Sequence, residues 1–461
     1  MKLPKRILVL GLGVSGRSAA NFCAARGAHV VAADERSADS LSGLEEVQAN
    51  VQLQVGRPFP DPRDFDLVVP SPGVPPARYA NALESGTPIW GDIELASRAL
   101  EIPIAAVTGT NGKTTTVALI EAMLESAGWR ARAAGNVGRP ALSLVGEALD
   151  VAILEVSSFQ LESCSQFRPR VAAILNITPD HLDRHGDFAH YRAAKLRILA
   201  NQNADDFAVL SASATDTGCI AKSVRGHAIR FGGFEPHEAG VWLDSGALLL
   251  RWDGATLRFG TDGFALVGTH NRENLAAALA VTTALGADPT QAMAGMRNFR
   301  PLPHRCELVR AIAGVRWIND SKATNPGAAL RSLASFDAPV IWIAGGRDKG
   351  LDFGPLAKVA AGRVRRALLI GESASQLGAA LGNGVPSQHL GSLEEAVIEA
   401  ARHARAGDIV LLAPACASFD QFASFEERGE CFRAAVAQIP GIPGTAGATG
   451  LAGSPGSGSN S

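Results

Sequence analysis

The stretch Val107 to Thr116, VTGTNGKTTT, constrains the fold of this chain more than any other. It follows the apolar run Ile102 to Ala106 and leads into Val117 to Leu124, where apolar residues recur at helical spacing. A short β-rich run, a glycine-containing turn and an amphipathic segment predict strand, loop and helix. Backbone N–H groups and a helix N-terminus then converge where a phosphate can sit. In such a loop Gly109, Thr110, Asn111, Gly112 and Thr115 surround the phosphates, Lys113 places a point charge at the β and γ groups, and Thr114 offers a hydroxyl to Mg²⁺. The Walker pattern asks for a glycine at position 107, where this chain has Val107. The match is short by that one position, and an ordinary glycine-rich βα turn is the alternative reading.

A chain of 461 residues has room for about two to four domains, each with its own core. A net charge of -2 and a pI near 6.6 argue against nucleic acid or an anionic membrane as a bulk electrostatic partner. Cys23, Cys164, Cys219, Cys306, Cys416 and Cys431 stand singly, without zinc or C-x-x-C spacing, which is the usage of a reducing cytosol. No run of about 18 apolar residues occurs, so no membrane span is expected. The N-terminal run Ile7 to Leu10 is soon broken by glycines and Arg17, which makes it a first strand rather than a signal peptide.

That strand runs into Gly11-Leu12-Gly13-Val14-Ser15-Gly16, a helical pattern from Arg17 to Arg26 and a second strand, His29 to Asp34. The GxGxxG fingerprint with its carboxylate suits NAD, FAD or another nucleotide whose ribose or base meets Asp34; a purely structural tight turn is the alternative. A strand Leu67 to Val69 delivers Ser71, Pro72 and Gly73 to the same sheet edge. A domain boundary is expected between Asp92 and Ile102.

In the second domain a strand ends at Glu155, where P-loop folds place an acid for Mg²⁺. Another ends in Asn176-Ile177-Thr178-Pro179-Asp180-His181-Leu182-Asp183; by itself this is a polar loop, but beside the phosphate loop His181 becomes a candidate for a second metal site. Lys195 by default is a solvated helix lysine. The segments Val241 to Leu243, Ala247 to Trp252 and Thr256 to Phe259 predict hairpins around Asp244-Ser245-Gly246 and Asp253-Gly254. Asn271 and Asn274 open a helix, where simple capping is the plain reading. After the proline-marked linker near Pro301, a third α/β unit carries polar loops at Asn319 to Asn325, Gly345 to Gly350 and Ala413 to Asp420. The Gly/Ala/Pro/Ser/Thr-rich stretch from Pro440 predicts a disordered tail.

The blocks GLGVSG, SPGV, GDIEL, VTGTNGKTTT, GNVG, EVSSFQLE, NITPDHLDRH, YRAAKLRI, GTHNRENLAAALA, LPHRCELV, INDSKATNPGA, GGRDKG and APACASFDQFASFEERG, in this order over residues 7 to 435, resemble the Mur ligase family of bacterial peptidoglycan synthesis. The resemblance is strongest to members that add D-glutamate to UDP-N-acetylmuramoyl-L-alanine. It implies three α/β domains: a UDP-binding Rossmann-like domain over residues 1–95, a P-loop ATPase-type domain with added β hairpins over 96–300, and a Rossmann-type amino-acid domain over 301–439, followed by a tail at 440–461.

Carried onto this sequence, the family pattern puts Val14, Ser15, Asp34, Arg36, Ser71, Pro72, Gly73 and Asn136 at the UDP-sugar, with Glu35 where a small hydroxyl residue is usual. Lys113 and Thr114 resemble the phosphate and Mg²⁺ contacts. Glu155 and His181 resemble ligands of two ions, and Lys195 the lysine that is carbamylated. Asn271, Arg305 and Asp320 match adenine-nucleotide contacts; Lys322, Thr324, Lys349, Ser418 and Phe425 match the D-glutamate site. The implied activity is an ATP-dependent amide-bond ligase working through an acyl phosphate, cytoplasmic and monomeric. Three rivals stand beside it. One is a related ligase for another amino acid or for folate. Another is an NAD(P)-dependent oxidoreductase, which leaves the phosphate loop, Glu155 and His181 unused; the last is a non-catalytic nucleotide-binding scaffold.

Overall fold

The computed structural model describes residues 1–136, 138–212, 217–233, 239–264, 266, 268–299, 303–347, 350 and 352–440; at Thr217, Cys219 and Asn298 it describes the backbone alone. Lys349 and residues 441–461, the predicted tail, lie outside the described residues.

Among the described residues the strands form three sheets. The first is four-stranded and parallel, in the order Gln52–Val55, His29–Asp34, Arg6–Leu10, Leu67–Pro70. Its order reverses between Arg6–Leu10 and Leu67–Pro70, and open α/β sheets bind ligands at such a switch point. The intervening helix is Val14–Ala24, three residues earlier than the apolar pattern suggests. It begins inside the glycine fingerprint because Gly16 packs on the carbonyl of Gly11, where a Cβ would collide.

The second sheet has nine strands. From one edge these are Ala131–Gly135, Val151–Glu155, Ile104–Thr108, Val171–Ile174, Phe207–Ser211, His227–Phe231 and Gly240–Asp244, all parallel, and then the antiparallel pairings of Ala247–Trp252 and Ala255–Gly260. The two hairpins turn on Ser245-Gly246 and Asp253-Gly254, all four residues at positive φ, the primed geometry that matches strand twist. The third sheet is six-stranded: Glu307–Ile312 pairs antiparallel with Val315–Asn319, followed in parallel by Ile409–Leu412, Val340–Gly345, Val364–Ile370 and Ser387–His389.

Two interfaces separate these sheets, and they differ in kind. A continuous apolar core runs from Ile7, Val9 and Val69 of the first unit through Ile93 and Leu95 to Ile104 and Leu154 of the second. Burying each such side chain stabilises by roughly 1.5–3 kcal/mol, so these two units share one hydrophobic body. The residue 95/96 boundary cuts helix Asp92–Ala99, which belongs to that shared body. The third unit has its own cores on the two faces of its sheet and meets the second across a polar cleft.

Candidate active site

Strand register builds the first wall of that cleft. Ile104–Thr108 lies between Val151–Glu155 and Val171–Ile174, with Val107 opposite Glu155 and Thr108 opposite Ile174. The phosphate loop, Glu155 and the 175–181 segment therefore leave the sheet at one edge. Helix Lys113–Ser126 starts at Gly112, which has φ 88° and no side-chain cap, leaving the first N–H groups for a ligand. A Cβ on Gly112 would lie 2.5 Å from Asn274 Oδ1, so the loop closes only around glycine. Thr110 anchors the loop from below: its hydroxyl donates to the Thr178 carbonyl at 3.0 Å, and its Oγ1 also meets the Thr178 N–H and Tyr191 Oη. Asn176 pins Asn111 through both backbone groups, at 2.9 and 3.0 Å.

Lys113 Nζ donates to the carbonyls of Gly109 at 2.8 Å and Thr110 at 3.1 Å. Burial pushes its pKa down while Glu155 and Asp180 pull it up. Lys195 is no solvated lysine. It is 2% exposed, donates to the same Gly109 carbonyl at 2.9 Å, and burial followed by the neighbouring Lys113 charge holds its pKa well below the usual lysine value.

The opposite wall comes from the third unit. Arg305, Asp320, Lys322 and Thr324 all line the cleft, whose volume is about 320 Å³. Asp320 accepts from the Cys306 N–H at 3.2 Å and from the Ser332 hydroxyl, and burial raises its pKa. Lys322 Nζ sits 3.8 Å from the centre of the Phe425 ring; burial and Arg305 lower its pKa to about 8. Burial likewise lowers Arg331 to about 10. Lys113, Arg305, Lys322 and Arg331 crowd a space where burial depresses the pKa of every one of them, so a polyanion bound among them relieves both desolvation and mutual repulsion. The two walls touch where Asn325 Nδ2 donates to Asp180 Oδ2 at 3.0 Å and where His270 Nδ1 meets Ser335 Oγ at 2.6 Å. Ser418 is 2% exposed, and neither it nor Phe425 is among the lining residues, though the Phe425 ring meets Lys322, which is.

A second pocket of about 630 Å³ opens at the switch point of the first sheet. Val14, Ser15, Asp34, Arg36 and the Ser71-Pro72-Gly73 turn all line it. Burial alone would raise the Asp34 carboxyl, but Arg36 and the Leu12 N–H, which donates at 2.8 Å, hold it below the usual range. Glu35 also lines the pocket and is ion-paired with Arg78. Asn136 lines both pockets and donates to Glu155 Oε1 at 3.0 Å, joining the two sites.

Glu155 fits a cation in its donor chemistry: its Oε2 is buried without a hydrogen-bond partner. Thr114 and His181 line the same cleft. Among the described residues no group of three or more His, Cys, Asp or Glu side chains is arranged to hold a metal ion. Mg²⁺ here would draw on Glu155, Thr114, His181 and oxygens brought by ligands.

Several lining residues escaped the sequence reading. Asn274 is buried in the cleft, and neither it nor Asn271 caps helix Thr269–Leu285, whose N-cap is Gly268 without a side-chain bond. Their spacing of one helical turn was the available signal. Asp180, His270, Glu273, Asn325 and Arg331 also line the cleft; only the docking of the third unit places Arg331 there, and no local pattern marks it.

Fold and site together define a protein of three α/β units with a P-loop-type phosphate cleft and a second pocket at a Rossmann switch point. Models of the MurD-like N-terminal domain, the Mur ligase middle domain and the Mur ligase glutamate ligase domain match residues 5–91, 107–282 and 304–416. The chain belongs to the Mur ligase family. It is 43% identical over 450 residues to the UDP-N-acetylmuramoylalanine--D-glutamate ligase of Geotalea daltonii, covering 95% of this chain and 98% of that one. It is 42% identical over 446 residues to the protein of the same name from Geotalea uraniireducens, with the same coverage. Among solved structures, the UDP-N-acetylmuramate-alanine ligase MurC of Thermotoga maritima shares the fold with a TM-score of 0.59 at 18% identity, covering 94% of this chain and 99% of that one. A pseudomurein peptide ligase type C from Methanothermus fervidus does so at 0.60 and 18%, covering 95% and 100%.

Proposed function

We propose that this chain is an ATP-dependent ligase that adds D-glutamate to UDP-N-acetylmuramoyl-L-alanine, releasing ADP and phosphate, in cytoplasmic peptidoglycan precursor synthesis. The observation that carries the reading is Asn136, which lines both the nucleotide pocket and the phosphate cleft, so a UDP-sugar held at one end presents its acyl terminus at the other.

A carboxylate is a poor electrophile in water. In the proposed reaction its oxygen attacks the γ-phosphorus of ATP, the bond to the β-bridging oxygen breaks, and ADP leaves. The neutral amine of D-glutamate then attacks the acyl carbon, loses a proton, and the acyl C–O bond to phosphate breaks. Lys113, Arg305 and Lys322 offset the repulsion among these anions, and the cleft between the second and third units limits water that would hydrolyse the acyl phosphate. Asn271 and Asp320 hold the adenine nucleotide. Thr324, Lys322, Lys349, Ser418 and Phe425 hold D-glutamate.

Mg²⁺, two ions in this reading, supplies charge neutralisation at the transferred phosphoryl group, held by Thr114, Glu155, His181 and a carbamate on Lys195. A buried, neutral amine is what carbamylation requires: its lone pair bonds to the carbon of CO₂ and a proton leaves. The product carries a negative charge, which adds to those of Asp180 and Glu155 acting at the same position. The proposed enzyme works as a monomer with small-molecule substrates, without nucleic acid or membrane; among the described residues no helix is long and apolar enough to cross one.

The test is phosphate release with UDP-N-acetylmuramoyl-L-alanine, ATP and a panel of D- and L-amino acids. Release is expected only with all substrates present and with D-glutamate preferred. Equal rates with L-glutamate, or release independent of the sugar, would remove the assignment.

A further inference from the structure

His181 holds a left-handed backbone, φ 54° and ψ 36°, at the start of the four-residue helix Leu182–His185. A residue with a Cβ adopts that region rarely and keeps it where its surroundings fix it. Its carbonyl accepts the N–H groups of Arg184 and His185, each at 3.1 Å, and its own N–H donates to Asp180 Oδ1 at 3.0 Å. The imidazole rests on the Phe159 ring, with centroids 5.0 Å apart and planes at 64°. The backbone bonds lie within the turn itself; the Arg184 side chain carries it outward.

Arg184 Nη2 donates to Glu162 Oε2 at 2.9 Å and to the Val74 carbonyl at 3.2 Å, and the guanidinium stands over the Phe159 ring, 4.9 Å from its centre. Val74 follows the Ser71-Pro72-Gly73 turn of the first unit and lines the nucleotide pocket, while Glu162 ends helix Ser158–Glu162, which follows the Glu155 strand. One cation thus joins three segments: the turn of the first unit, the helix after Glu155 and the segment that brings His181 to the cleft. Glu162 Oε1 also lies 3.2 Å from His185 Nδ1, and that ring packs between Phe159 and Tyr191, at 5.4 and 5.3 Å. Neither Arg184 nor Glu162 lines either pocket, and their side chains are only 14% and 18% exposed, so the charge-assisted bond between them is largely withdrawn from water.

We infer that Arg184 is a positioning residue for His181: held by Glu162 and the Val74 carbonyl, it fixes the left-handed turn so that the imidazole stays on the cleft wall. The inference rests on the reading of His181, given above, as a contact of the cation at the transferred phosphate. Thr114, Glu155 and His181 come from three separate segments, and a site assembled in that way tolerates displacements of about 0.5 Å. The anchoring of the turn therefore matters to a site that Arg184 does not line.

Arg184→Met keeps an unbranched stem over Phe159 and removes both bonds. The expected result is a fall of about thirtyfold in kcat and of about tenfold in Mn²⁺ affinity, read from the EPR signal of the free ion at a fixed ADP concentration. ADP affinity in EDTA should stay within about twofold of wild type, because this contact does not reach the nucleotide. Arg184→Lys, which keeps a donor for Glu162, should recover most of the Mn²⁺ affinity; Glu162→Leu should reproduce the loss in part and add little to Arg184→Met. Wild-type Mn²⁺ affinity in Arg184→Met with only the thermal midpoint lowered, an equal loss of metal-free ADP affinity, or multiplicative losses in the double variant would overturn the inference. If Arg184→Met fails to fold, Glu162→Leu decides: a loss of about threefold in Mn²⁺ affinity is expected, and wild-type affinity would overturn the inference. If His181→Ala keeps wild-type Mn²⁺ affinity, the reading of His181 fails instead. A crystal structure of Arg184→Met then decides the inference by itself: the imidazole is displaced by about 1 Å or more if the guanidinium holds it, and unmoved if it does not.

Discussion

The chain uses one backbone device twice, to different ends. Helices Val14–Ala24 and Lys113–Ser126 both follow a buried parallel strand, and both begin at a glycine N-cap without a side-chain bond, Gly13 and Gly112. Each therefore aims free N–H groups and a positive helix end at a ligand. In the first loop the cation in the opening turn, Arg17, is spent on structure: it donates to the carbonyls of Leu12 and Ser42 and pairs with Glu46 at 3.1 Å. In the second, Lys113 faces the cleft, with Lys195, Lys322 and Arg305 near enough to perturb one another or the acids around them. The difference separates holding from reacting. A site that only retains a nucleotide needs donors and shape; one that transfers a phosphoryl group must also concentrate positive charge in a dry space.

If that division is right, the largest effect should come from the reacting side. Lys195→Ala removes the only side chain proposed to be converted to an anion there. Activity should fall by on the order of 4 kcal/mol, about a thousandfold in kcat, and recover in part with added short carboxylic acids. A fully active variant, or electron density showing a free ammonium in the Mg²⁺-ATP complex, would break the carbamate assignment. Lys113→Ala comes next, with a loss of about 3 kcal/mol, roughly a hundredfold in kcat, while UDP binding measured by calorimetry stays at the wild-type value. A variant that loses UDP binding as well would erase the contrast between the two loops.

The holding side should respond more mildly and in a different parameter. Asp34→Asn weakens the pair with Arg36 and the bond from the Leu12 N–H. The expected change is a rise of about tenfold in KM for the UDP-sugar, with kcat kept. A kcat effect larger than the KM effect would mean that the first loop takes part in the chemistry.

How much of this contrast the sequence displays depends on distance along the chain. Both loops are legible because strand, glycine turn and helix are contiguous, and His29–Asp34 runs between the residues its apolar run implies. The Asp253-Gly254 turn is legible because its dihedral demand is local. Strand Phe207–Ser211 is as apolar as its neighbours, yet periodicity alone does not separate a short buried strand from a helix segment. The burial of Lys195 is not legible at all: a lysine in YRAAKLRI reads as solvated until the helix packs beneath the phosphate loop. Arg331 enters the cleft only through the docking of a separate folding unit, which no window of sequence encodes.

The smallest effect sharpens the comparison through pH. Lys322 has an ordinary lysine stem, yet burial first and Arg305 second bring its pKa to about 8. The charged form is the one that binds anions, so affinity is present below that value and declines as pH rises through it. Between pH 8 and 9 the charged fraction falls from about one half to about one tenth, roughly a fivefold change in kcat/KM for D-glutamate, the parameter that reports free-enzyme ionisations. The substrate amine must itself lose a proton and gains reactivity over the same range, which would mask the decline in a raw profile. Dividing by the profile of Lys322→Arg removes that contribution, because the guanidinium keeps its charge and the substrate is the same. The quotient should therefore drop about fivefold between pH 8 and 9 and show no such break for the UDP-sugar, if that ligand is held, as proposed, at the first loop, whose pocket Lys322 does not line. A flat quotient for D-glutamate would mean that Lys322 carries no anion of the amino acid. An equal drop for the UDP-sugar would mean that its charge serves both halves of the site, and the separation of holding from reacting would fail at the wall opposite the phosphate loop.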